Sequence, residues 1–330
     1  MVDVVSEYPN ANLRGEHPYV HPTLYLEGDP DMPPSDTWNG VIKCTVLPLR
    51  DLYLPVLSYK AKGKLMFPLC RTCVEEENTE MRQLTDTWCA PELLLALREK
   101  GYRLVEVHEV YQYPRTSKYD PDTRKDGLLS AYVRRFMALK IQASGWPPEC
   151  DTEEKQAKFV EDALKHDGVT EFLYDYAKLI ALVTDNTKEV TGLLPLSDEC
   201  LQVTWKPVED SEVCLPTSSL LHAAFTTCHG RMELYKYLDV VKERALYHDT
   251  DSVAYISRPG ESELPLGTHL GDLTDQIEED YGPGSFITEF VAGGPKNYAY
   301  KVAVGDDVHN IKVCIKVRGI SINTSCAPRW

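Results

Sequence analysis

Short apolar runs broken by turn residues dominate this chain, and a few stretches of helical period lie between them. The β-branched run at residues 2–5 predicts a buried strand, ended by Pro9 and Asn10. Residues 16–40, rich in Pro, Gly, Asp and His, predict loop, and residues 40–54 predict a strand closed by prolines. Residues 88–98 predict a short helix with Pro91 in its first turn and Gly101 at its C-cap. Alternation predicts a strand over residues 102–113. A basic amphipathic helix is predicted over residues 127–145, with Leu128, Tyr132, Phe136 and Leu139 on its apolar face. Residues 151–183 read as helix, and residues 190–205 as strand, turn and strand. The clearest helix follows, capped by Thr217 or Ser218. It carries Leu221, Ala224, Phe225, Cys228, Met232 and Tyr235 at i, i+3/i+4 spacing. Residues 245–256 predict a β-hairpin around Asp249-Thr250-Asp251. Beyond it, Gly-rich loop is expected to about residue 295, then strands over 298–304 and 311–322.

Composition narrows the classes. Within 330 residues there is no run of about 18 apolar positions, so no membrane span is expected. The first residues carry an acid at Asp3 and no basic segment, so no signal peptide is expected. A net charge of −16 argues against bulk coating of nucleic acid, while leaving room for a local basic strip around an acidic metal centre. The ten cysteines lack a dense framework and predict reduced thiols in an intracellular, non-secreted setting, without naming the compartment. Cys70 and Cys73 form a C-x2-C pair with no second pair downstream. They predict a structural thiol pair rather than a Zn²⁺ site.

The chemistry concentrates in carboxylates. On extended backbone Asp249 and Asp251 would face one side, where they raise each other's pKa unless a cation lies between them. Such oxygen donors suit Mg²⁺ or Mn²⁺. Asp3, in another apolar strand, could complete a three-acid cluster of the kind two-metal phosphoryl transfer requires. Taken alone, Asp-Thr-Asp is equally ordinary turn chemistry.

Four motifs carry more. Residues 247–252, Tyr-His-Asp-Thr-Asp-Ser, resemble the Y-x-D-T-D-S motif of family B DNA polymerases, and residues 3–9 resemble that family's D-x-x-S-L-Y-P. Residues 227–231 match T-x-x-G-R, and Lys296-Asn-Tyr298 matches K-x-Y, both DNA-contact motifs of the protein-primed branch. Residues 65–73, 84–88 and 286–300 are similar to its viral, organellar and mobile-element members. The resemblance implies an α+β fold: a palm with an antiparallel sheet carrying the three acids. By position, residues 1–119 would be the first part of the palm, 120–190 partial fingers, and 191–330 the rest of the palm and the start of a thumb. It implies Asp3 and Asp251 as ligands of two Mg²⁺ ions, Asp249 as a further acid and the Val4 carbonyl as an extra ligand. Tyr8 would exclude a 2′-hydroxyl, and Lys140 would approach the triphosphate. Ser6, Thr227, Arg231, Lys296 and Tyr298 would hold primer and template through phosphates. Implied partners are primer-template DNA, deoxynucleoside triphosphates and a terminal protein primer.

The sequence departs from that family in three ways. The fingers motif K-x-x-x-N-S-x-Y-G is not found between residues 145 and 190. Such a donor to the transition state is typically worth about 10²–10³ in rate. Glu7 stands where the motif has leucine, tolerable if it points to solvent. The first catalytic Asp lies two residues after Met1, so an exonuclease domain and its flank are expected to be missing from a truncated copy. The reading is therefore a DNA-directed DNA polymerase or a fragment of one. The alternative is a catalytically inactive remnant, and a small metal-dependent nuclease is a third class without a motif of its own.

Overall fold

The computed structural model describes residues 1–75, 82–123, 125–144, 188–197, 200–207, 219–305, 307–317 and 320–324, with single positions between 152 and 158. It divides into two compact units. One combines Met1–Lys118 with Ala224–Trp330, and the other is Tyr119–Ala223.

The first unit is built on three antiparallel four-stranded sheets. One runs in the order Thr23–Leu26, Arg103–Gln112, Gly40–Leu47, Leu84–Cys89. Its alternating apolar positions put Ile42, Cys44, Val46, Leu84, Trp88 and Val110 inside, where they meet Leu93 and Ala96 of the helix Ala90–Glu99. Each such burial of a large aliphatic side chain is worth about 1.5–3 kcal/mol. The Trp88 indole is satisfied as well, donating to the Ser58 carbonyl at 2.7 Å. The helix starts at Cys89, with proline in its first turn and Glu92 closing a capping box. Gly101, just past its end, takes φ 72°.

A second sheet, in the order Ala245–Asp249, Ser252–Tyr255, Val2–Val4, Leu273–Asp275, carries the acids. Val2, Val4, Val253 and Leu273 turn inward against Leu238 and Val241 of the long helix Leu220–Val241. The outward Asp3 falls between two buried valines, as the period of a strand dictates. The third sheet, Phe286–Gly294, Asn297–Val304, Asp307–Val317, Ile320–Thr324, encloses Tyr300, Val302 and Cys314 against Ile277.

In the second unit the helix Ser130–Ser144 buries Ser130, Val133 and Met137, and Arg134 pairs with Asp126 at 2.6 Å. Lys188–Ser197 and Cys200–Pro207 form an antiparallel hairpin. At the unit's end the Ser219 hydroxyl accepts the His222 N–H at 3.3 Å and begins the long helix. Thr217 and Ser218, expected as its cap, lie outside the described residues.

Several expectations are corrected. Residues 7–14 form a helix, not a broken strand end, because Pro9 falls in its first turn, where no N–H is needed. The stretch 16–40 contains two short strands, and the stretch before residue 295 contains a strand, the helix Gln276–Tyr281 and a nine-residue strand. Leu128, Tyr132 and Phe136, expected inside, are exposed, Tyr132 by 61%. The helical period gave the stripe, and the neighbouring stripe is the buried one. Most of the helix expected over 151–183 lies outside the described residues, as does the place of the fingers motif. Among the described residues no helix is long and apolar enough to cross a membrane.

Candidate active site

The site starts from strand register. Val2–Val4 runs antiparallel to Ser252–Tyr255, with Asp3 opposite Ser252, and the Val4 N–H donates to the Asp251 carbonyl at 2.8 Å. On the other side Asp3 lies opposite Thr274. A residue from the first strand is thereby held beside a hairpin some 250 positions later in the chain.

That hairpin is tighter than the extended geometry expected from spacing. Asp249 pairs with Ser252, so Thr250 and Asp251 make a two-residue turn, and Thr250 takes φ 52° in the left-handed region. Asp251 lies in the turn and Asp249 ends the strand; the two do not share one face of a strand. The turn is fastened by the Asp251 N–H donating to the Asp249 carbonyl at 2.6 Å and the Ser252 hydroxyl donating to the same oxygen at 3.2 Å.

Electrostatics follow from this crowding. Burial pushes the Asp3 carboxyl up to about 6, and the Asp251 charge pushes it the same way, against a hydrogen bond from the Gln276 side chain. Burial also raises Asp251, with Asp249 adding to the effect and Lys296 opposing it. Lys296 reaches Asp249 with its ammonium at 2.8 Å, while its N–H donates to the Tyr247 hydroxyl at 2.9 Å. Tyr298 stacks on Phe290 with ring centroids 5.7 Å apart and meets Tyr247 at 4.8 Å. The K-x-Y segment thus closes over the acidic turn.

A cavity of about 530 Å³ lies against the same turn. Its lining includes Tyr8, Thr227, Arg231, Asp249, Leu65 and Phe67. Tyr8 is half exposed. Ser6 precedes the helix Glu7–Arg14 in left-handed backbone, φ 54°. Thr227 donates its hydroxyl to the Ala224 carbonyl at 3.0 Å. Arg231 is not simply a solvated cation: it grips Glu92 through both carboxylate oxygens, at 2.7 and 3.0 Å. Lys140 belongs to the second unit, on the helix Ser130–Ser144, and is exposed.

Glu7 holds a surprise. It does not point to solvent: it is 3% exposed, and neither carboxylate oxygen has a hydrogen-bond partner. Burial pushes its carboxyl up to about 8, helped by Glu233 and Asp251. It fits because residue 230 is glycine; a Cβ there would lie 3.2 Å from its Oε1 and 3.7 Å from the Tyr8 ring. Sequence reading also missed Glu92, whose only local signal is its place three residues after Cys89 in a capping box. At the other motif outside the site, the free Cys70 and Cys73 thiols hydrogen-bond to each other. Burial opposes ionisation of Cys70, but backbone N–H donors of Cys73 and Thr72 hold it below the usual thiol range.

Residues 1–161 match the family described as DNA polymerase type B, organellar and viral. Over that stretch, just under half of the chain, the sequence is similar to these polymerases, in line with the resemblance of its motifs. Among solved structures, Phi29 DNA polymerase in an orthorhombic crystal form is similar at TM-score 0.53 and 17% identity. The match covers 97% of this chain and 50% of that one. Phi29 DNA polymerase complexed with primer-template DNA and incoming nucleotide is similar at 0.52 and 16%, with the same coverage. At such identity the likeness is one of fold: mixed helices and antiparallel sheets. The chain spans about half the length of these polymerases. No curated protein matches it in sequence.

Proposed function

We propose that the chain is a DNA-directed DNA polymerase, or the palm-bearing part of one, extending a primer 3′-hydroxyl with deoxynucleotides. The observation that carries this reading is the register that sets Asp3 opposite Ser252 and the Val4 N–H on the Asp251 carbonyl, so that the Asp251 charge acts on Asp3. Both carboxyls are raised by burial and by acidic neighbours, which is the electrostatic state that a divalent cation relieves. Asp3 and Asp251, with the Val4 carbonyl, would hold the ions, and their all-oxygen donor set suits Mg²⁺. Two bound ions would activate the attacking hydroxyl and neutralise the leaving phosphates. Lys296 pairs with Asp249 at 2.8 Å, and Asp249 lines the cavity. Tyr8, at the cavity wall, would bar a 2′-hydroxyl by its bulk, and Thr227, Arg231, Lys296 and Tyr298 would seat the primer. Ser6 and Lys140 would contact template and triphosphate.

Primer extension with Mg²⁺ tests the reading. Wild type should lengthen a labelled primer, and Asp251→Asn should be slower by on the order of 10³-fold, the several kcal/mol typical of lost metal stabilisation. Extension unaffected by Asp251→Asn would sink the assignment. The missing K-x-x-x-N-S-x-Y-G motif favours a second reading, a silent remnant that binds primed DNA; it predicts binding without extension.

A further inference from the structure

We propose that Cys89, Cys228 and Glu92 form a buried binding site for a thiophilic divalent ion, Zn²⁺ in the first instance. Their ligand atoms, two Sγ and a carboxylate oxygen, all lie within 4.8 Å of one another, and all three residues are buried. Cys89 and Glu92 come from the start of the helix Ala90–Glu99, and Cys228 from the long helix Leu220–Val241. Two sulfurs and one carboxylate select a soft or borderline cation over Mg²⁺. Met232 Sδ, 4.0 Å from Cys228 Sγ, adds a further soft donor.

Charge balance favours the exchange. Two neutral thiols, the Glu92 carboxylate and the Arg231 guanidinium bonded to it sum to zero. Binding breaks two S–H bonds, forms two metal–sulfur bonds and sends two protons to solvent, so the buried sum stays zero. An ion with one charge would leave that sum negative, and buried net charge is costly. The Cys89 and Cys228 thiols already hydrogen-bond to each other within the cluster. Arg231 then acts on the site through the carboxylate, orienting it as outer-shell partners do. An entry path exists, because Glu92, Arg231 and Met232 line the cavity. Bound metal would tie the T-x-x-G-R turn of helix to the neighbouring helix start. The site stands whether or not the chain polymerises DNA.

The test uses the full chain in a Cys70→Ser, Cys73→Ser background, with excess Mg²⁺ to saturate the carboxylates, and Co²⁺ as probe. Expected are a thiolate-to-cobalt charge-transfer band in the near ultraviolet, its displacement by Zn²⁺, and its loss in Cys228→Ser. Calorimetry in two buffers of different ionisation enthalpy should give two protons released per Zn²⁺ bound, a measurement that needs no core variant. Cobalt bound without the band, a band that survives Cys228→Ser, or binding with no proton release would overturn the proposal.

Discussion

Glu7 is closed off from water beside the long helix, and its carboxyl keeps its proton up to about pH 8. Between its ordinary value of 4.5 and that point the native state holds a proton that the unfolded chain has released. Stability therefore falls as pH rises through this window, by up to about 1.4 kcal/mol per unit. Asp3 contributes with the same sign between 3.8 and about 6. Urea titrations in chelator should show wild type losing stability relative to Glu7→Leu as pH rises from 6 to 8, because His229 and His248, whose pKa values burial lowers, act alike in both proteins. A slope unchanged by that substitution would place the proton elsewhere. Glu92 is the opposite case, a buried carboxylate matched by the Arg231 guanidinium. Glu92→Ala strands Arg231, which is 26% exposed at its side chain, so the expected loss is about 2–3 kcal/mol, less than for a fully buried pair. Chemical denaturation measures it.

Among the secondary elements, the ends of strands impose their own demands. Gly40 opens the strand Gly40–Leu47 at φ 146°, and a Cβ there would collide with the Tyr111 carbonyl and the Tyr113 ring. Gly40→Ala should cost more than about 2 kcal/mol, read as a lower urea midpoint, whereas Gly28→Ala, with nothing nearby, should cost only its positive φ, about 1 kcal/mol. Elements were legible where one local rule decided them. The Asp-Thr-Asp hairpin announced itself by two apolar arms around a turn, and the long helix by its period. Residues 7–14 misled because a proline reads as a breaker until its place within the first turn is known. On the helix Ser130–Ser144 two stripes were available, and the sequence holds no sign of which one meets a partner. Sequence also says nothing of pairings such as Arg231 with Glu92, separated by 139 positions, or Lys296 with Asp249, separated by 47. The acids of the site, and Arg231, Lys296 and Tyr298 beside them, could be named from motifs, but not the carboxylates to which those cations are bonded.

For the whole molecule, a charge of −16 sets long-range repulsion against any nucleic acid, so binding must come from local cations. Two of those proposed are already committed to carboxylates. Lys296→Ala should weaken primer-template binding alike for all sequences and lower the slope of log affinity against log salt by about one, measured by anisotropy. An unchanged slope would mean that Lys296 serves Asp249 alone.

The strand order has a temporal consequence. Val2–Val4 is an inner strand whose neighbours are Ser252–Tyr255 and Leu273–Asp275. At translation speeds of roughly 5–20 residues per second, those neighbours leave the ribosome on the order of ten seconds to a minute after it. Until then its valines have no sheet to join, and closing so long a loop is slow. The acidic centre therefore forms only after its distal strands have emerged, and chaperone binding to Val2–Val4 should persist until that hairpin has been synthesised.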